Sequence, residues 1–147
     1  MREREDRPQA MIDAIPTMAW SGRPDGFIEF VNQRWLDYTG FSYEEALGWG
    51  CNAAFHPDDR VPLAEKWRAL VASGQPGEIE ARMRRLDGEY RWFLLRAEPV
   101  RDEQGRIINW YGVNIDIEDR KRSESLRAAE TRTLEMIANG RSAPRYN

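Results

Sequence analysis

RRLDGEYRWFLLRAEPVRDEQGRIINWYGVNID, residues 84–116, decides the fold. Asp87-Gly88 and the run from Asp102 to Gly105 are turn chemistry, and each is followed by a long stretch rich in aromatic and β-branched residues. Just upstream, Ile79, Ala81 and Met83 alternate with Glu78, Glu80, Arg82 and Arg84, the period of a half-buried strand. The pattern predicts three consecutive antiparallel strands joined by tight turns, with Tyr90 to Val100 and Ile107 to Ile117 as the second and third.

Working outward toward the N-terminus, Met18 to Ser21 and Phe27 to Val31 flank the turn-dense Gly22-Arg23-Pro24-Asp25-Gly26 and read as a hairpin. Then the period changes. Asn32 can cap a short helix holding Trp35, Leu36 and Tyr38, which Gly40 ends. Ser42 and Glu45 have capping-box spacing for a second helix from Tyr43 to Leu47. A longer helix fits Pro62 to Ser73, with Leu63, Trp67, Leu70 and Val71 on one face and Gly74 as its stop. Two strands, a group of short helices and a three-strand meander make an α+β domain: a five-stranded antiparallel sheet with helices on one face. Asp6, Pro8, Met11, Ile12 and Ile15 suggest an N-terminal helix closed by Pro16. From about Glu118 to Asn139 the chain is polar and helical. Leu126, Ala129, Thr133 and Met136 have the 3-4-3 spacing of a coiled-coil seam, and a solvated helix docked on the domain is the alternative. The expected organisation is a cap helix at 1–16, a core at 17–118, a C-terminal helix at 119–140 and a linker or tail at 141–147.

The 147 residues suit one domain with terminal extensions, and a net charge of −3 argues against a nucleic-acid partner. No apolar run approaches a membrane span, and MREREDRPQA lacks the apolar core of a signal peptide, so no membrane contact is expected. The single cysteine, Cys51, cannot form an internal disulfide, which fits a cytoplasmic setting. No nucleophile-and-base pairing, phosphate-cradling glycine loop or metal-ligand cluster is visible, so neither a reaction nor a metal is expected.

The order of elements, together with FVNQRWLDYTGFSYEEALG (residues 30–48), HPDDR (56–60), the stretch from Arg84 to Arg106 and WYGVNIDIEDRKRSE (110–124), resembles the PAS family, in particular the fold 3 subgroup with its PAC-type C-terminal motif. The resemblance implies a sensory and dimerisation module of a multidomain bacterial signalling protein, first of all a sensor histidine kinase. It also implies a homodimer and a downstream GAF, kinase or cyclase domain in the parent chain. In that family an Asp-Ile-Thr-like triplet hands the signal to the outgoing helix; Asp116, Ile117 and Glu118 match it here, with the Thr position altered. Asp116 can accept hydrogen bonds from the first strand's backbone, cap the helix, or do both. The alternative function is a small-molecule or flavin receptor domain of a diguanylate cyclase or related regulator.

Aligning residues 47–51 with the light-oxygen-voltage motif puts Cys51 on its photoreactive position, but Asn52-Ala53-Ala54-Phe55 departs from the remainder of that motif. Met83 and Phe93 stand where that resemblance implies asparagines, and Asn114 where it implies a glutamine. Unpaired ring edges would cost about 1–3 kcal/mol each, so no flavin is expected and Cys51 reads as a small buried apolar residue. Haem is not expected either, because the long helix contains no histidine; His56 is read as capping its turn with Asp58 and Asp59. Alternation with the same alignment sorts the sheet. Ile79, Ala81, Met83, Phe93, Leu95, Ala97, Ile108, Trp110, Gly112 and Asn114 face the helices. Met83, Phe93, Leu95, Trp110 and Asn114 are candidate pocket lining, in a pocket expected to be largely filled, with room for a small ligand near Gly112 and Asn114. Trp92, Leu94, Tyr111, Val113 and Ile115 lie on the other face, to be covered by the N-terminal helix or a second subunit.

Overall fold

A computed structural model describes residues 12–139. Five strands form one antiparallel sheet: β1 (Met18–Gly22), β2 (Ile28–Val31), β3 (Gly77–Arg84), β4 (Tyr90–Arg101) and β5 (Ile107–Asp116), in the order β2-β1-β5-β4-β3. Between β2 and β3 come α1 (Gln33–Thr39), α2 (Tyr43–Ala46), a 3₁₀ helix (Gly50–Ala54) and α3 (Pro57–Ser73). The residues up to Asp116 make one compact unit, and those from Ile117 a second, consisting of α4 (Glu118–Ala138). The N-terminal helix expected at 1–16 lies largely outside the described residues; 12–14 are helical and Ile12 is buried.

Local chemistry accounts for the short helices. Asn32 caps α1 by accepting from the Trp35 N–H, and Gly40 closes it at φ 75°, a left-handed conformation that a side chain resists. Ser42 and Glu45 form the full capping box of α2. The long helix starts five residues before the expected Pro62. His56 is the N-cap, its Nδ1 accepting from the Asp58 N–H, and Pro57 takes the first-turn place where a missing N–H costs nothing. Pro62 lies inside the helix. Asp59, expected in the same cap, instead reaches out to β3: its carboxylate accepts from the Arg82 backbone N–H at 2.8 Å and from the guanidinium at 2.7 and 3.0 Å. With the His56 N–H donating to the Arg82 carbonyl, this occupies the β3 edge of the sheet at Arg82.

The helix-facing side of the sheet is the core. Met83, Phe93 and Trp110 are almost wholly buried, and Trp35 and Leu63 from the helices and Phe55 from the link between the 3₁₀ helix and α3 join them in one core. Ile108 is a correction. The register shifts between Val100 and Arg101, pairing Val100 with Asn109 and Arg101 with Ile107, so Ile108 is the extra residue of a bulge. It is 47% exposed, and Ile107 packs against the core in its place.

Candidate functional site

A cavity of about 520 Å³ lies between the sheet and α3. Trp20, Ile79, Leu95, Ala97 and Asn114 supply the sheet wall, and Leu63, Ala64, Trp67 and Leu70 the α3 wall. Ile28, Val31 and Trp35 close one side; Trp49, Cys51, Asn52 and Phe55 come from the 3₁₀ segment. Of the five expected lining residues, Leu95 and Asn114 border the space, while Met83, Phe93 and Trp110 are packed core. The space is larger than the filled pocket expected, and it is not over Gly112. A Cβ on Gly112 would stand 2.0 Å from Trp20 Cζ2, so the indole occupies the place a side chain would take. Trp20 is held there by Nε1, which donates to Asn114 Oδ1 at 3.0 Å, and by its edge-on contact with Trp67 at 5.3 Å. Asn114 Nδ2 points at Met83 Sδ, 3.3 Å away. No reading of strand alternation anticipates that a tryptophan from β1 crosses β5.

Cys51 borders the cavity, its Sγ 3.6 Å from the Gly48 carbonyl. Burial pushes its thiol up to about 11. The thiolate is the nucleophile, so at pH 8 iodoacetamide should alkylate native Cys51 at least about tenfold more slowly than the denatured chain. Equal rates would show that the thiol is not desolvated. The same burial makes stability pH-dependent. The folded state keeps its proton longer than the unfolded chain, so this contribution is intact below about pH 9 and fades as pH rises toward 11.

At the far end of β5, Asp116 accepts from Arg91 Nε at 2.7 Å, and Arg91 in turn faces Glu89 at 3.8 Å. Asp116 is not the cap of α4; that position is Ile117, which makes no side-chain capping bond. In α4, Glu118 pairs with Arg122 at 3.4 Å and the Ile117 carbonyl accepts from the Lys121 N–H. The Tyr38 hydroxyl is buried without a partner among the described residues. Burial, with the Asp116 charge second, pushes it up to about 12.

On the opposite face of the sheet Trp92, Leu94, Tyr111 and Val113 are half-buried and Ile115 is 37% exposed. The Arg82 guanidinium lies 5.2 Å from the Trp92 ring centre, covering part of it. Among the described residues no cluster of His, Cys, Asp or Glu could hold a metal ion, and no helix is long and apolar enough to cross a membrane.

A five-stranded antiparallel sheet whose helices roof a single-sided cavity is the architecture of a small sensory domain, and comparison with known proteins makes it specific. The model of the PAS fold matches residues 28–114, and the chain belongs to that family. It is 35% identical over 125 residues to an uncharacterised protein of Sinorhizobium fredii, spanning 84% of this chain and 15% of that one. It is 31% identical to a blue-light-activated histidine kinase of Rhizobium johnstonii, spanning 82% of this chain and 35% of the kinase. The chain thus spans a small part of the curated relatives it matches. Among solved structures, the LOV protein of Rhodobacter sphaeroides superposes with a TM-score of 0.66 at 19% identity, covering 98% of this chain and 86% of that one.

Proposed function

We propose that this PAS domain is the cytoplasmic sensory and dimerisation module of a larger signalling protein, a sensor histidine kinase, and that it passes a conformational change to its effector through α4. The relatives that are histidine kinases support the parent assignment. The observation that carries the relay is the run from β5 into α4: from Val113 to Asn139 there is neither glycine nor proline to decouple them. Asp116, Ile117 and Glu118 form the junction, with Arg91 holding the Asp116 carboxylate. Exposed Leu126, Leu134 and Ile137 give α4 apolar surface that a second copy would cover, alongside Ala129, Thr133 and Met136. Trp92, Leu94, Tyr111 and Val113 supply a sheet face for an isologous dimer.

Trp92→Glu tests the dimer. An aromatic anchor contributes about 2 kcal/mol or more at an interface, so the dimer dissociation constant should rise at least about 30-fold. Sedimentation equilibrium reads it, and the regulated kinase activity of the parent should fall with it. An unchanged dissociation constant would remove this face from the interface.

The cavity favours a second reading, a small-molecule receptor, because about 520 Å³ is a normal size for a ligand site. Flavin is a poor fit to it. Met83 and Phe93 are buried packing where polar ring contacts would stand.

A further inference from the structure

Resting on the receptor reading, we infer that the cavity takes a compact aromatic or alicyclic carboxylate, its ring among the tryptophans and its carboxylate on Arg68. Trp20, Trp35, Trp49 and Trp67 are four of the chain's six tryptophans, and all border this one space. Flat apolar walls of that kind suit a ring system. The polar groups of the walls are largely spent on the protein itself. Trp20 Nε1 is on Asn114, Trp67 Nε1 donates to the Gly26 carbonyl at 3.0 Å, and Asn52 Nδ2 donates to the Arg60 carbonyl at 3.2 Å.

Arg68 is the exception. Among the described residues it is the one charged group bordering the cavity, it is exposed, and it makes no hydrogen bond or ion pair with another of them. Arg60, Arg82, Arg91, Arg96 and Arg101 have oxygen partners, and Arg34 and Arg84, which like Arg68 have none among the described residues, do not border the cavity. No carboxylate of the described residues borders the cavity to oppose an incoming anion. A guanidinium fork matches a planar carboxylate in two parallel bonds. A phosphate ester carries nearly two charges, and the lining offers no second cation to meet it. Trp49, 57% exposed and edge-on to Phe27 at 5.8 Å, is another half-open wall residue, so the anionic end belongs near solvent and the ring inside.

The test is calorimetric titration of the whole chain with two acid and amide pairs, 2-naphthoate with 2-naphthamide and indole-3-acetate with indole-3-acetamide. The expected result is binding of the acids at least about tenfold tighter than their amides, the effect of exchanging a charge-assisted bond for a neutral one. Arg68→Gln, on an exposed helix position, should erase that difference while leaving amide binding unchanged, and Arg68→Lys should restore part of it. Equal binding of acid and amide would overturn the carboxylate assignment and leave the receptor reading standing. No binding of any of the four below about 1 mM would overturn both. Tighter binding of flavin mononucleotide than of either acid would overturn the carboxylate assignment in favour of a phosphate-bearing ligand.

Discussion

Replacing Asn32 by alanine is expected to lower the unfolding free energy of the domain by about 2–4 kcal/mol, from about 1 for a lost helix cap and 1–3 for the buried Ala19 N–H left without its partner. Asn32 is completely buried, and its amide works in both directions. Oδ1 accepts from the Ala19 N–H at 3.1 Å and the Trp35 N–H at 3.2 Å. Nδ2 donates to the carbonyls of Thr17 at 2.7 Å and Ile12 at 3.3 Å. The side chain therefore joins β1, the start of α1 and the segment before β1. Alanine leaves the Ala19 N–H, on a residue 1% exposed, without its partner. Asn32→Asp is the informative control. It keeps both accepted bonds but turns a carboxylate toward carbonyl oxygens, so it should remain destabilised at neutral pH. Urea unfolding of the three proteins checks this, and a loss below about 1 kcal/mol for alanine would mean that water or neighbouring groups replace the hub.

Asn32 also shows how far the residues could be read in advance. Its capping of α1 is a local signal, as are the Ser42 and Glu45 box and the turns at Asp87-Gly88 and after Asp102; each depends on residues within a few positions, and all are present. Its bonds to Thr17 and Ile12 span 15 and 20 residues and leave no local trace. The same division explains the misreadings. Two prolines five residues apart could each begin α3, and only the edge of β3, through His56 and Asp59, selects Pro57. Period-two counting carries Ile108 inward because a bulge resets the phase without changing composition. The pocket was least legible. Whether inward-facing side chains fill a space depends on where the largest of them lie, and Trp20 resting on Gly112 is a contact 92 positions apart in the chain. Arg68 sits on an exposed position of α3, where pattern alone reads as ordinary solvated surface.

In the intact parent, deleting one residue from the segment Glu118 to Ser125 should lock or invert output, whereas deleting seven of its eight should largely preserve regulation. An α-helix has 3.6 residues per turn, so one deletion turns everything downstream by about 100°. Seven deletions leave a mismatch of only about 20°, close to the original phase. The prediction requires α4 to behave as a continuous rod, and its sequence favours this. Glu118 with Arg122, Arg120 with Glu124 and Lys121 with Glu124 form ion pairs at helical spacing through the segment to be shortened. Each has at least one exposed partner and is worth only a few tenths of a kcal/mol, yet together they favour helix over coil where no residue of α4 is buried. A deletion of four, about 40° out of phase, should then retain more regulation than deletions of two or five, which leave the downstream face about 160° and 140° away. Kinase activity with and without the stimulus, measured across deletions of one to seven residues, reads the phase directly. Regulation that oscillates with the helical repeat ties output to rotation of this helix. Regulation that declines smoothly with length, or does not change, would make α4 a tether, and the domain would have to signal through its sheet face instead.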